Sequence, residues 1–112
     1  MFETVYLLRE VVKRAVQSEV RIPVEALRDA VKKLLEEDNV AIYNSETGLD
    51  EDLRAMQKQS FLTVDGGYVV IRKEDFLNAT KFAERQEELL RGDRYAAYIF
   101  EKLKQKAEHI TM

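Results

Sequence analysis

Apolar residues recur along this chain in two rhythms, and the points where the rhythm changes mark its elements. Val5, Leu8, Val12 and Ala15, widened by Leu7 and Val11, fall three or four residues apart and predict a helix over residues 3–18. Val20-Arg21-Ile22 reads as a short strand or extended stretch. Pro23 suits the first turn of a second helix, where its missing N–H loses nothing. Val24, Leu27, Val31 and Leu34 line one face of that helix to about residue 37. Asp29, Lys33 and Glu37 follow each other at four-residue steps and predict its solvated face.

The segment 38–47 breaks both rhythms. Val40-Ala41-Ile42-Tyr43 fits a short strand or a continuation of the second helix, and Asn44-Ser45-Glu46-Thr47-Gly48 is turn chemistry. Leu49, Leu53 and Met56 restore helical spacing and predict a third helix over residues 49–59. Asp50, Glu51 and Asp52 occupy its first turn, where carboxylates favour the helix dipole. Two short apolar runs follow, Phe61-Leu62-Thr63-Val64 and Tyr68-Val69-Val70-Ile71. Asp65-Gly66-Gly67 between them supplies the positive φ of a tight turn, which predicts a hairpin with a two- or three-residue turn.

The order helix, helix, helix, hairpin over residues 1–73 resembles the winged helix-turn-helix superfamily. The resemblance implies an α+β, mostly helical fold that grips duplex DNA with its third helix, most often as a small transcriptional regulator. At about 100° per residue, burial of Leu49, Leu53 and Met56 turns Glu51, Arg54, Ala55 and Lys58 outward. Arg54, Gln57, Lys58 and Gln59 are then the candidate DNA contacts, since Arg, Lys and Gln reach base edges and phosphates. Arg72 and Lys73, at the base of the hairpin, are candidate phosphate contacts. Asp50, Glu51 and Asp52 oppose phosphate, and Asp65 makes the hairpin tip acidic. A second reading therefore stays open: an interaction module that binds a protein partner and no nucleic acid.

Residues 74–112 go beyond what such a core requires and predict an added C-terminal helix or helix pair. Phe76, Ala79, Ala83 and Leu90 form one stripe; Phe82, Leu89, Ala96, Ile99 and Leu103 continue another at roughly heptad spacing. Unbroken from 74 to 108, this helix would extend about 50 Å, and Gly92-Asp93 predicts a break or kink. Tyr95, Tyr98, Ile99, Phe100 and Leu103 supply aromatic and aliphatic anchors. Two outcomes fit: a homodimer paired through these five residues, or a helix folded back onto the first. The homodimer is expected, because the apolar surface exceeds what one small core covers and a symmetric pair is the commonest oligomer. Two such subunits would read half-sites about one helical turn apart.

With 112 residues the chain makes one domain, read as a core over 1–73 and an extension over 74–112. Its net charge of −3 weighs towards the interaction module, since a domain devoted to phosphate is usually basic. The absence of Cys and the single His exclude a zinc site and redox thiols. No phosphate loop or Ser/His/Asp arrangement is visible, so no catalytic residue and no cofactor is expected. The N-terminus lacks the pattern of a signal or transit peptide. No apolar run nears the roughly 20 residues of a bilayer span, which makes a cytoplasmic protein the expectation. The charge density also suits the surface ion-pair networks of a thermophile.

Overall fold

The computed structural model describes residues 2–43 and 47–110. Among these residues the order is α1 (Phe2–Arg14), β1 (Glu19–Pro23), α2 (Val24–Asp38), α3 (Gly48–Lys58), β2 (Thr63–Asp65), β3 (Tyr68–Arg72), α4 (Lys73–Ala79), α5 (Lys81–Leu89) and α6 (Arg94–Glu108). The class is α+β, with a three-stranded antiparallel sheet ordered β1-β3-β2.

Side-chain alternation sets the sheet's register. Val20 pairs with Ile71 and Ile22 with Val69, and all four are buried, while Glu19, Arg21 and Arg72 face solvent. β2 is a short exposed edge strand. Asp65 pairs with Tyr68, so the turn holds two residues; Gly66 and Gly67 both have positive φ, 56° and 81°, as a type I′ turn requires. The Gly67 carbonyl accepts the Val24 N–H at 2.9 Å and ties the hairpin tip to the start of α2. The inner face of the sheet joins one core: Leu8 and Val11 of α1, Leu27 and Leu34 of α2, Leu53 and Met56 of α3, and Phe76 of α4. Each large apolar side chain so buried contributes about 1.5–3 kcal/mol.

Helix ends depart from the sequence expectation in three places. α1 stops at Arg14, not near residue 18. The Lys73 ammonium takes the Ala15 carbonyl at 2.6 Å and the Lys73 N–H takes that of Ser18 at 2.8 Å, so residues 15–18 turn towards β1. Residues 40–43 form neither strand nor helix, because Asn39 adopts φ 57° and the Val40 N–H reaches back to the Leu34 carbonyl at 2.9 Å. The turn expected at residues 44–46 lies outside the described residues. The helix expected from residue 74 to Gly92 is divided at Thr80. Its hydroxyl donates to the Phe76 carbonyl and accepts from Arg9, each at 2.6 Å, and such back-bonding competes with the helical ladder. The expected break at Gly92-Asp93 is present, and Asp93 Oδ1 caps α6 by accepting the Ala96 N–H at 3.0 Å.

α6 lies against α1 and α2. Leu103 and Ala107 are buried, and the Phe100 ring meets Tyr6 edge-on, with centroids 4.9 Å apart. The Lys106 ammonium bonds Glu37 at 2.7 Å and stands 3.0 Å from Asp38 Oδ2. That oxygen is buried and makes no aligned hydrogen bond among the described residues, so the ammonium is what compensates it. The contact with Glu37, then that with Asp38, raises the Lys106 pKa above its ordinary 10.5. Among the described residues no helix is long and apolar enough to cross a membrane.

A candidate nucleic-acid interface around α3

α3 buries Leu49, Leu53 and Met56 and leaves its other side open. The three carboxylates at its start have separate environments. Asp52 is half-buried and accepts the hydroxyl of buried Thr4 at 2.6 Å, while Thr4 also bonds the Tyr43 hydroxyl. Asp50 binds Arg28 of α2 at 2.6 Å, and Glu25 holds the same guanidinium at 2.7 Å. The hydrogen bond to Asp50, followed by the charge of that carboxylate, raises the pKa of Arg28. Glu51 is left outward, where it accepts the Thr47 hydroxyl at 3.1 Å.

Arg54 and Lys58 project one turn apart from the open side. Both are exposed, and neither has an ion pair among the described residues. Gln57 instead works within the fold, where its Oε1 accepts the Val64 N–H at 2.5 Å and pins the edge strand of the hairpin to α3. Gln59 is exposed at the C-cap. Arg54 and Gln57 line an open cleft of about 700 Å³ with Val24, Arg28, Val64 and Gly67. Sequence reasoning missed Arg28; its available signal was the three-residue spacing from Glu25 near the start of the second helix.

No protein-family model, curated protein or solved structure matches this chain. An assignment rests on the geometry.

The structure does not bring Arg72 and Lys73 to this site. They lie at the end of β3 away from the turn, Arg72 as its last residue, roughly 13 Å along the strand from Tyr68, and Lys73 as the first of α4. Arg72 is exposed and faces Asp75 at 3.8 Å, whereas the Lys73 ammonium is committed to Ala15. A phosphate grip by these two beside α3 is therefore not assembled.

The five residues expected at a dimer interface are also dispersed. Leu103, 1% exposed, belongs to the chain's own core, and Ile99 and Phe100 are half-buried against it. The Tyr98 hydroxyl donates to the Asp38 carbonyl at 2.7 Å, with the Lys102 ammonium 5.4 Å from its ring centroid. Tyr95 is turned out, 67% exposed. Folding back of the last helix, the alternative to pairing, is what uses most of this apolar surface. Among the described residues no group of His, Asp and Glu is arranged to hold a metal ion.

Proposed function

We propose that this chain is a winged helix-turn-helix domain that binds duplex DNA with the outer side of α3 in the major groove. The observation that carries the reading is the sorting of charge on that helix. Asp50 is neutralised by Arg28 and Asp52 turns inward to Thr4, while Arg54 and Lys58 face outward without carboxylate partners among the described residues. Arg28 is shared between Asp50 and Glu25, so the start of the helix keeps a net negative charge, with Glu51 its outward carboxylate, and the repulsion is lessened and not removed. A helix fits the major groove, and an arginine and a lysine one turn apart reach guanine edges or phosphates. Gln57 serves as a positioning residue, holding the hairpin against α3 through Val64. A small regulator of transcription is the corresponding role.

Arg54→Ala combined with Lys58→Ala is expected to weaken duplex binding by about tenfold or more and to lower its salt slope by about two. The thermal melt should stay nearly unchanged, because both side chains are exposed. Unchanged DNA affinity in the double variant would overturn the assignment of α3. Glu25 and Glu51 line the same cleft and Asp65 sits at the hairpin tip, which favours a second reading, a module for a basic protein partner. Charge removal at Arg54 and Lys58 should leave such a partner bound as before or more tightly.

A further inference from the structure

Between positions 81 and 95 the chain turns cations and large apolar side chains outward together. Two of the three carboxylates of α5 are engaged: half-buried Glu87 pairs with Lys104 and exposed Glu84 with Arg9, each at 3.4 Å. On the outer side Lys81 and Arg85, one turn apart, have no ion pair among the described residues, and neither have Arg91 and Arg94 in the turn into α6. Asp93 between them caps α6, which leaves Glu88 as the exposed carboxylate of α5 without an ion pair among the described residues. Leu89 is 74% exposed, with Phe82 at 41% on the same side. At about 100° per residue these two project within roughly 20° of each other, and Arg85 lies about 40° from Leu89. Together with Lys81 and Gln86 they line a shallow depression of about 570 Å³.

We infer that the outer side of α5 and the turn into α6 dock an acidic amphipathic segment of another protein. An apolar side chain of that segment sits on Leu89 and Phe82, and flanking carboxylates meet Lys81, Arg85, Arg91 and Arg94. Charge complementarity selects this occupant. A second copy in a symmetric pair would set the cationic patch against itself, and like charges directly opposed are strongly disfavoured. A nucleic acid would satisfy the cations but leave Leu89 without an apolar partner. A flat lipid surface does not fill a depression.

The test is an amide NMR titration of the whole isotopically labelled chain with a synthetic helical peptide. The peptide carries Leu and Phe on one side and Asp and Glu elsewhere; a scrambled peptide of the same composition is the control. Saturable binding is expected, with shifts confined to residues 81–95. Arg85→Glu, Leu89→Ser and the scrambled peptide should each weaken it by about tenfold or more. Both substituted side chains are exposed, and an unchanged thermal melt verifies that the variants fold. The inference is overturned by a peptide that does not bind, by equal binding of the scrambled control, or by shifts that fall on α3. Binding to phosphatidylserine vesicles in place of the peptide overturns it too, as does a dimer in sedimentation that Leu89→Ser converts to monomer. The variant lacking Arg54 and Lys58 should bind the peptide normally, so failure of the DNA reading and failure of this one are distinguishable.

Discussion

Ser60 sits at φ 65° just past α3, where its N–H bonds the Gln57 carbonyl and the Phe61 N–H bonds that of Met56, each at 3.0 Å. This is the Schellman arrangement, built with a serine where glycine is the ordinary choice. The left-handed region costs a side chain about 1–2 kcal/mol, and glycine's extra freedom in the unfolded chain offsets about half of that. Ser60→Gly should therefore raise the melting temperature by about 2–4 °C; a lower or unchanged midpoint contradicts the strain. Gly48 is the converse case. A Cβ there would lie 2.7 Å from three atoms of Tyr43, whose hydroxyl is bonded to Thr4. Overpacking costs about 1–3 kcal/mol, more than the helix propensity of alanine returns. Gly48→Ala should thus lower the melt by several degrees, and an unchanged melt would show that Tyr43 can yield. Neither position announces itself in the sequence. Ser60 reads as a linker residue because a left-handed cap built without glycine leaves no compositional mark, and Gly48 as a turn glycine because its contact with Tyr43 comes from packing that periodicity does not carry.

Elements with a strong internal rhythm were legible from the sequence. Leu49, Leu53 and Met56 mark the buried side of α3, and the Gly pair marks the hairpin turn. Helix stops set by distant partners were not: α1 ends where Lys73 meets Ala15, and the α4–α5 break depends on Arg9 reaching Thr80. The site was legible in part, since Arg54 and Lys58 follow from helical geometry, whereas the Gln57 bond to Val64 and the Arg28 bond to Asp50 join separate elements. The same holds for α6, whose contact with α2 includes the ion pairs of Lys106 with Glu37 and Asp38. The pKa of Lys106 is raised by Glu37 and then Asp38, so its stabilising effect is present below the ordinary 10.5 and lost as pH rises through the folded-state value. Lys106→Met leaves buried Asp38 less compensated and should cost about 1–2 kcal/mol at neutral pH. Denaturant midpoints across pH check this. The wild type should lose stability relative to the variant above about pH 10.5 and keep its full advantage below; a constant difference through that range would contradict the role of Lys106.

Across the whole molecule, 21 acidic side chains against 18 Lys and Arg give a charge of −3, which by itself argues against DNA. Pairing in three dimensions redistributes that balance. Arg9, Lys13, Arg14, Arg28, Lys33, Arg72, Lys102, Lys104 and Lys106 are held by carboxylates. Of the cations without an ion pair among the described residues, Arg54 and Lys58 lie on the outer side of α3 and Lys81, Arg85, Arg91 and Arg94 around the turn from α5 into α6, with Arg21, Lys32 and Lys73 elsewhere. The cations of α3 suit a duplex groove; those around the turn, with Leu89 beside them, suit an acidic partner. One chain would then carry two separable surfaces, joined through the core that α1 shares with α3 and α6. The most direct measurement is fluorescence anisotropy of a labelled mixed-sequence duplex titrated with the whole protein at about 50 and about 200 mM salt. Micromolar binding that falls steeply between the two is the predicted result. No binding at the lower salt, or binding indifferent to salt, would contradict the assignment of α3 to DNA.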